Sequence, residues 1–178
     1  SVMMELRSLN SSPPPGPVGS DDVTLVTSGA TGVFINETVG TGKLVRIVGL
    51  TLSGTGAGNY TLTQPTANAD ITVKGLTVTG ITANNKVYDN TTNATINTDG
   101  AALVGVLSPD VVTLGTGSAT GAFLIETAGN GKLVQISGVT ISGTDAGNYA
   151  LTQPTATANI TARALTVAGI TASNKVYD

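Results

Sequence analysis

Along residues 132–142 apolar and polar positions alternate, with Val134 and Ile136 on one side and Gln135 and Ser137 on the other. The phase slips by one at Gly138, after which Val139 and Ile141 carry the apolar side onward. A two-residue period is that of a half-buried strand. A glycine at the slip predicts either a β-bulge or a strand crossing between sheets. Residues 43–53 repeat the pattern, with Val45 and Ile47, a slip at Gly49, then Leu50 and Leu52. Arg46 and Val48 of this run stand where the other has Gln135 and Ser137, so these positions are expected to face solvent.

The same reading predicts strands over 76–81, 86–88, 94–96, 103–106, 111–114, 122–125, 149–152 and 158–161, separated by clusters of Gly, Asn, Asp, Ser and Pro. Helical periodicity is nearly absent. The expected class is all-β, as tandem immunoglobulin-like β-sandwich repeats.

The two alternating runs belong to a longer repeat. At an offset of 89 residues, positions 20–89 and 109–178 are identical at 47 of 70 places without a gap. A period near 90 is too long for a solenoid coil and close to the roughly 100 residues of an immunoglobulin-like sandwich. The expected organisation is a non-repeat, Pro-rich segment or unrelated remnant over 1–19, the later part of a first repeat over 20–74, a complete repeat over 75–163, and the first strands of a following repeat over 164–178. Pro13, Pro14, Pro15 and Pro17 favour extended backbone and deny ladder donors. The run 160–167 leaves almost no flexible linker, so the array is expected to be stiff.

Composition narrows the chemistry. The 178 residues include no Cys or His, which excludes disulfides, the usual zinc ligands and Ser-His or Cys-His nucleophilic sites. Thr (30) and Gly (23) make up nearly a third of the chain, which suits pleated strands and tight turns. Each repeat has one Phe and two Tyr, so its core must be mostly Val, Ile, Leu, Ala and Thr methyls. The net charge of −3 is scattered, with neither the basic stripe of a nucleic-acid binder nor a basic amphipathic run for a membrane surface. The apolar stretches are far shorter than the roughly 20 residues of a membrane span, and residues 1–9 lack a signal-peptide core. Neither nucleic acid nor membrane insertion is expected.

Several motifs carry candidate chemistry. Asp145-Ala146-Gly147-Asn148-Tyr149 looks like the start of strand F in immunoglobulin domains, with Tyr149 placed for a tyrosine corner. Asn59 and Tyr60 repeat it, but Gly56 replaces the Asp. Asp145 could serve as a calcium ligand, yet no acidic cluster accompanies it in the sequence, and calcium takes six to eight oxygens. Gly40-Thr41-Gly42-Lys43 and Gly129-Asn130-Gly131-Lys132 lack the upstream Gly and following Ser or Thr of a phosphate loop, so a hairpin turn explains them better.

Glu37 and Glu126 occupy equivalent places in different repeats, and a glycosidase pair would need the two domains to face each other. A Lys–Asn cross-link through Lys86 or Lys175 is chemically feasible but no spacing singles it out. The pairs Thr77/Thr79 and Thr61/Thr63 read as exposed strand threonines rather than ice-binding ranks. Structural roles fall to Asn59, Tyr60, Tyr88, Asp89, Asp145, Asn148 and Tyr149. No catalytic, cofactor-binding or metal-binding residue is expected, and no cofactor.

Lys86-Val87-Tyr88-Asp89-Asn90-Thr91-Thr92, followed by Val112-Thr113-Leu114, Gly129-Asn130-Gly131-Lys132, the stretch from Val139 to Tyr149 and Ala158-Asn159-Ile160-Thr161, resembles the YDG repeat domain. The likeness spans 20–178, with Asn90 where the family's name-giving Gly would stand; Asn also tolerates left-handed turn geometry. The resemblance implies a secreted or cell-surface array of immunoglobulin-like modules in bacterial haemagglutinin-like adhesins, without catalytic residues.

The leading expectation is a structural and adhesive repeat acting as stalk or fibre spacer, its partners being neighbouring repeats of the same chain. One alternative is a filament subunit that assembles with other copies by strand complementation. Another is a glycan-binding module on a cell surface, although the usual exposed aromatic platform is missing. Enzyme activity is not expected.

Overall fold

A computed structural model describes residues 16–177. The chain divides into two compact units, the first ending at Ile71 and the second beginning at Thr72. The described residues form seventeen strands and two short 3-10 turns, so the protein is all-β.

The first unit contains β1 (Thr24–Val26), β2 (Thr31–Phe34), β3 (Gly40–Val48), β4 (Thr51–Ser53) and β5 (Thr66–Ile71), with a 3-10 turn over Ala57–Asn59. β1 pairs antiparallel with β4, and β3 lies between β2 and β5 in an antiparallel sheet.

The second unit repeats this set and adds to it. Its strands are β6 (Lys74–Thr79), β7 (Thr82–Ala83), β8 (Lys86–Val87), β9 (Asn93–Ala94), β10 (Ile96–Asn97), β11 (Ala102–Val104), β12 (Thr113–Gly115), β13 (Thr120–Phe123), β14 (Gly129–Ser137), β15 (Thr140–Ser142), β16 (Tyr149–Leu151) and β17 (Thr155–Thr161). A five-stranded sheet runs β8-β17-β14-β13-β9, a three-stranded sheet runs β11-β6-β16, and β12-β15 and β10-β7 form separate pairs. Two of these pairings are parallel, β16 with β6 and β8 with β17.

The expected strand over 94–96 is interrupted at Thr95, and β7 has no counterpart among the expected strands. Residues 164–177, the copy of the segment that forms β6, β7 and β8, take up no strand pairing. Of the Pro-rich segment 1–19, residues 1–15 lie outside the described residues, as does Asp178.

The core of the second unit follows the alternation. Val78, Ile81, Ile136 and Val139 form one buried cluster, against which Leu103, Leu114 and Leu151 pack. Phe123, Val134, Ala158 and Ile160 form the other, closed by Tyr88 and Ala94. Leu76 is fully buried. Arg46, Gln135 and Ser137 face solvent, whereas Val48 is half-buried rather than exposed.

Gly138 resolves the two readings of the phase slip. β14 ends at Ser137 in the five-stranded sheet, and β15 begins at Thr140 paired with β12, so the glycine marks a crossing between sheets. The register shift of β14 against β17 lies elsewhere, between Gly129 and Lys132. Gly138 adopts φ 77, and a Cβ there would stand 2.2 Å from the carbonyl oxygen of Ser118. Gly49 repeats the arrangement at φ 81, 2.1 Å from the Gly29 oxygen. Gly138→Ala is therefore expected to destabilise the second unit by at least about 2 kcal/mol, from left-handed strain plus a backbone clash. Urea denaturation of the variant beside Gly147→Ala, where a Cβ meets nothing within 4 Å, checks this.

Candidate functional site

Of the residues given structural roles in the sequence, Tyr88, Asp89, Asp145, Asn148 and Tyr149 lie at two places in the second unit. The first is the turn after β8. Asp89 Oδ1 accepts hydrogen bonds from Thr91 N (3.0 Å) and Thr91 Oγ1 (2.9 Å), closing an Asx-type turn. Asn90 sits at φ 61, the one non-glycine residue with positive φ among those described, and its Oδ1 accepts from the Tyr88 hydroxyl at 3.0 Å. Asn supports this geometry where most side chains would be strained. Lys86 Nζ reaches the same centre, 2.8 Å from Asp89 Oδ1 and 2.7 Å from Thr91 O, and lies 5.5 Å from the centre of the Phe123 ring. The hydrogen bonds from Lys86 and Thr91 hold the Asp89 carboxyl down at about 2. Lys86, one of the two lysines considered for a cross-link to an Asn, is thus paired with Asp89.

The second place surrounds Tyr149. Its hydroxyl donates to Asp110 Oδ2 at 2.6 Å and accepts from Leu107 N at 3.1 Å. A tyrosine corner ties back to backbone a few residues upstream, whereas this strap reaches 42 residues back to Leu107. Tyr60 makes the same pair of contacts in the first unit, to Asp21 Oδ2 at 2.8 Å and from Val18 N.

The hydrogen bond to Asp110 is the main cause that raises the Tyr149 hydroxyl above its ordinary value near 10, burial and the charges of Asp110 and Asp145 adding to it against the Leu107 amide. A raised folded-state value favours the protonated form. The strap's contribution is therefore complete below about pH 10 and is lost as pH rises through the folded-state value. Stability measured from pH 8 to 12 is expected to fall more steeply for the native protein than for Tyr149→Phe, which removes this titration.

Asp145 is occupied structurally. Its Oδ2 accepts from Val111 N at 2.8 Å and Thr144 Oγ1 at 3.1 Å. In the first unit Gly56 holds its place, and the carboxylate comes from the opposite side: Asp22, at the position of Val111, accepts from Thr55 N at 3.3 Å. The two copies thus fasten the same loop junction with an acid from opposite sides. Asn59 and Asn148 end the two 3-10 turns, whose following residues are Tyr60 and Tyr149. Among the described residues no group of three His, Cys, Asp or Glu converges on one point.

The Gly-Lys motifs open β3 and β14. Gly131 N donates to Asn159 Oδ1 at 2.7 Å and Gly42 N to Asp70 Oδ1 at 2.8 Å, while Lys132 Nζ donates to Thr127 Oγ1 at 2.8 Å.

One structural residue was not singled out in the sequence. Gln153 clamps the sheet crossing, its Oε1 accepting from Val139 N (3.1 Å) and its Nε2 donating to Val139 O (2.8 Å). Gln64 does the same with Leu50 at 3.2 and 2.8 Å. The identical runs Thr63-Gln64-Pro65-Thr66 and Thr152-Gln153-Pro154-Thr155 were the available signal.

The sequence model of the YDG domain matches the chain twice, over residues 7–68 and 72–158. The chain belongs to the YDG domain family. Its second match begins at Thr72, where the second compact unit begins. The Lys86–Thr91 turn lies within this second match, with Asn90 in the left-handed position. No curated protein matches the chain significantly, and neither does any solved structure.

The two YDG units differ in closure. Equivalent side chains are Phe123 at 2% exposure and Phe34 at 37%, and Val45 is the one buried apolar residue described in the first unit. In the second unit Leu151 and Leu76 lie opposite one another in the parallel β16–β6 pair, and Leu76 Cδ2 lies 3.3 Å from the Cβ position of Gly105. In the first unit Gly16, Leu25, Leu52, Tyr60 and Leu62 line an open apolar pocket of about 400 Å³. Residues 60–62, unlike β16, form no strand. Of the pocket residues, Gly16 and Leu62 are the counterparts of Gly105 and Leu151, which border Leu76 in the second unit.

Proposed function

We propose that these YDG modules are structural and adhesive repeats of a secreted or cell-surface bacterial adhesin, serving as stalk or fibre spacer. The observation that carries this reading is that the polar residues at both candidate places are engaged within their own module. Lys86, Asp89, Asn90 and Thr91 satisfy one another, as do Tyr149, Asp110 and the Leu107 amide. Such groups hold turns and loops in place. The tandem sequence adds to this, because only Thr72 and Val73 separate β5 from β6. A two-residue connection restricts what a neighbour can do. No catalytic step belongs to this reading.

Small-angle scattering from a protein of three consecutive repeats tests it. The stalk reading expects a rod whose length grows in proportion to repeat number. A compact, freely hinged particle would remove its basis.

A second reading is that copies assemble into filaments by strand complementation. Addition of a strand to an exposed sheet edge is the chemistry such an assembly would use.

A further inference from the structure

We infer that the second unit is a tension-bearing module, in which residues 74–88 and 149–161 form a shear clamp. This deepens the stalk reading and rests on it for the source of the tension. The two segments lie side by side and run in the same direction. Tyr149 is opposite Lys74, Ala150 opposite Gly75 and Leu151 opposite Leu76, an offset of 75 residues. In the five-stranded sheet Ile160 is opposite Lys86 and Thr161 opposite Val87, an offset of 74. The segments therefore pass together from one sheet to the other, in register to within one residue.

Hydrogen bonds join them along this course. Thr152 N donates to Leu76 O at 2.9 Å, Asn159 N to Asn85 Oδ1 at 2.7 Å and Tyr88 N to Thr161 O at 2.9 Å. Thr161 Oγ1 donates to Lys86 O at 3.3 Å. Leu76 and Ile160, one on each segment, are fully buried.

The parallel arrangement decides how tension is carried. Force transmitted along the chain enters the unit at Lys74, where β6 starts, and leaves at Thr161, where β17 ends. It pulls the two segments along their length in opposite directions, so the bonds between them are loaded together. Two strands pulled apart from one shared end lose their bonds one at a time. The clamp also carries tension from entry to exit without passing it through residues 89–148. Forced unfolding is governed by the unfolding rate rather than by equilibrium stability, so such a module resists pulling without being unusually stable.

The chain has no cysteine, so engineered thiols fix where pulling handles attach. Thr72→Cys/Ala162→Cys places them just outside entry and exit, in shear. Thr72→Cys/Gly147→Cys places them at one shared end of the β6–β16 pair, which peels Lys74 from Tyr149 first. Thr72 and Ala162 are exposed, and a Cβ at Gly147 meets nothing within 4 Å. In single-molecule force spectroscopy of the full chain, the shear pair is expected to rupture at about three times the force of the peeling pair, because several bonds share the load. Its rupture releases roughly 300 Å of extended chain. Equal forces for the two handle pairs would overturn the clamp.

Two further variants separate mechanical from equilibrium strength. Asn85→Ala removes the acceptor of Asn159 N inside the clamp, and Asp145→Ala removes that of Val111 N outside it. In the shear-handled chain Asn85→Ala is expected to lower the rupture force by about a third, as one of a few shared bonds, while Asp145→Ala leaves it unchanged. An equal fall in both would mean that force follows overall stability, and would overturn the clamp. A freely hinged particle in scattering would overturn the stalk reading and with it the source of tension. A rod with equal forces for the two handle pairs would overturn the clamp alone.

Discussion

Leu76→Ala is expected to destabilise the second unit by about 3–4 kcal/mol, while Leu165→Ala, the same position one repeat later, leaves its stability within about 0.5 kcal/mol. Leu76 has no solvent exposure and Leu165 has 89%. Truncating Leu76 removes a side chain held between β16, to which β6 is hydrogen-bonded, and the backbone at Gly105. The loss combines the transfer energy of the missing methyls with the cavity left behind. Against the 5–15 kcal/mol typical of a whole domain, this is a large fraction of the total. Equilibrium urea denaturation followed by tyrosine fluorescence distinguishes the two variants. Equal effects would mean that the repeat position, and not its place in the fold, decides the outcome.

The second large effect separates the two copies. At low protein concentration the chain is expected to unfold in two steps, the first unit at lower denaturant, despite 47 identities in 70 aligned positions. The second unit buries Leu76, Val78 and Ile81 from a segment that has no described counterpart in the first. At about 1.5–3 kcal/mol per buried side chain, these three contribute roughly 5 kcal/mol or more before the entropy of ordering their strands is subtracted. Phe34 adds to the difference, being 37% exposed where Phe123 is 2% exposed. The net gap is expected to be at least about 3 kcal/mol. A single transition, unchanged by Leu76→Ala in its early part, would contradict this.

The local part of the fold was legible in the sequence. Val134 and Ile136 are buried and Gln135 exposed because the pleat imposes a two-residue period, and Gly138 was visible as the place where that period breaks. The offset of 89 correctly joined the equivalent strands β3 and β14, and β4 and β15. What escaped reading depends on contacts distant in sequence. The parallel pairing of β6 with β16 joins residues about 75 apart, and nothing in either strand's alternation names its neighbour.

The polar sites divide the same way. The Asp89–Thr91 turn is local, and its residues stood together in the motif. The partners of Tyr149 did not, since Asp110 and Leu107 lie 39 and 42 residues away. Gln153 escaped because a lone glutamine before proline carries no pattern of its own, and its role depends on Val139 arriving at the sheet crossing. The exchange of Asp22 for Asp145 shows why Asp145 alone was a poor guide: the same junction accepts an acid from either side.

Amide hydrogen exchange at equivalent positions tests most directly whether a YDG module is closed by its β6–β8 segment. Val134 and Ile160 of the complete copy are expected to exchange at least about a hundredfold more slowly than Val45 and Ile71, as about 3 kcal/mol of opening free energy requires. Equal protection at the two pairs in dilute protein would contradict closure by that segment.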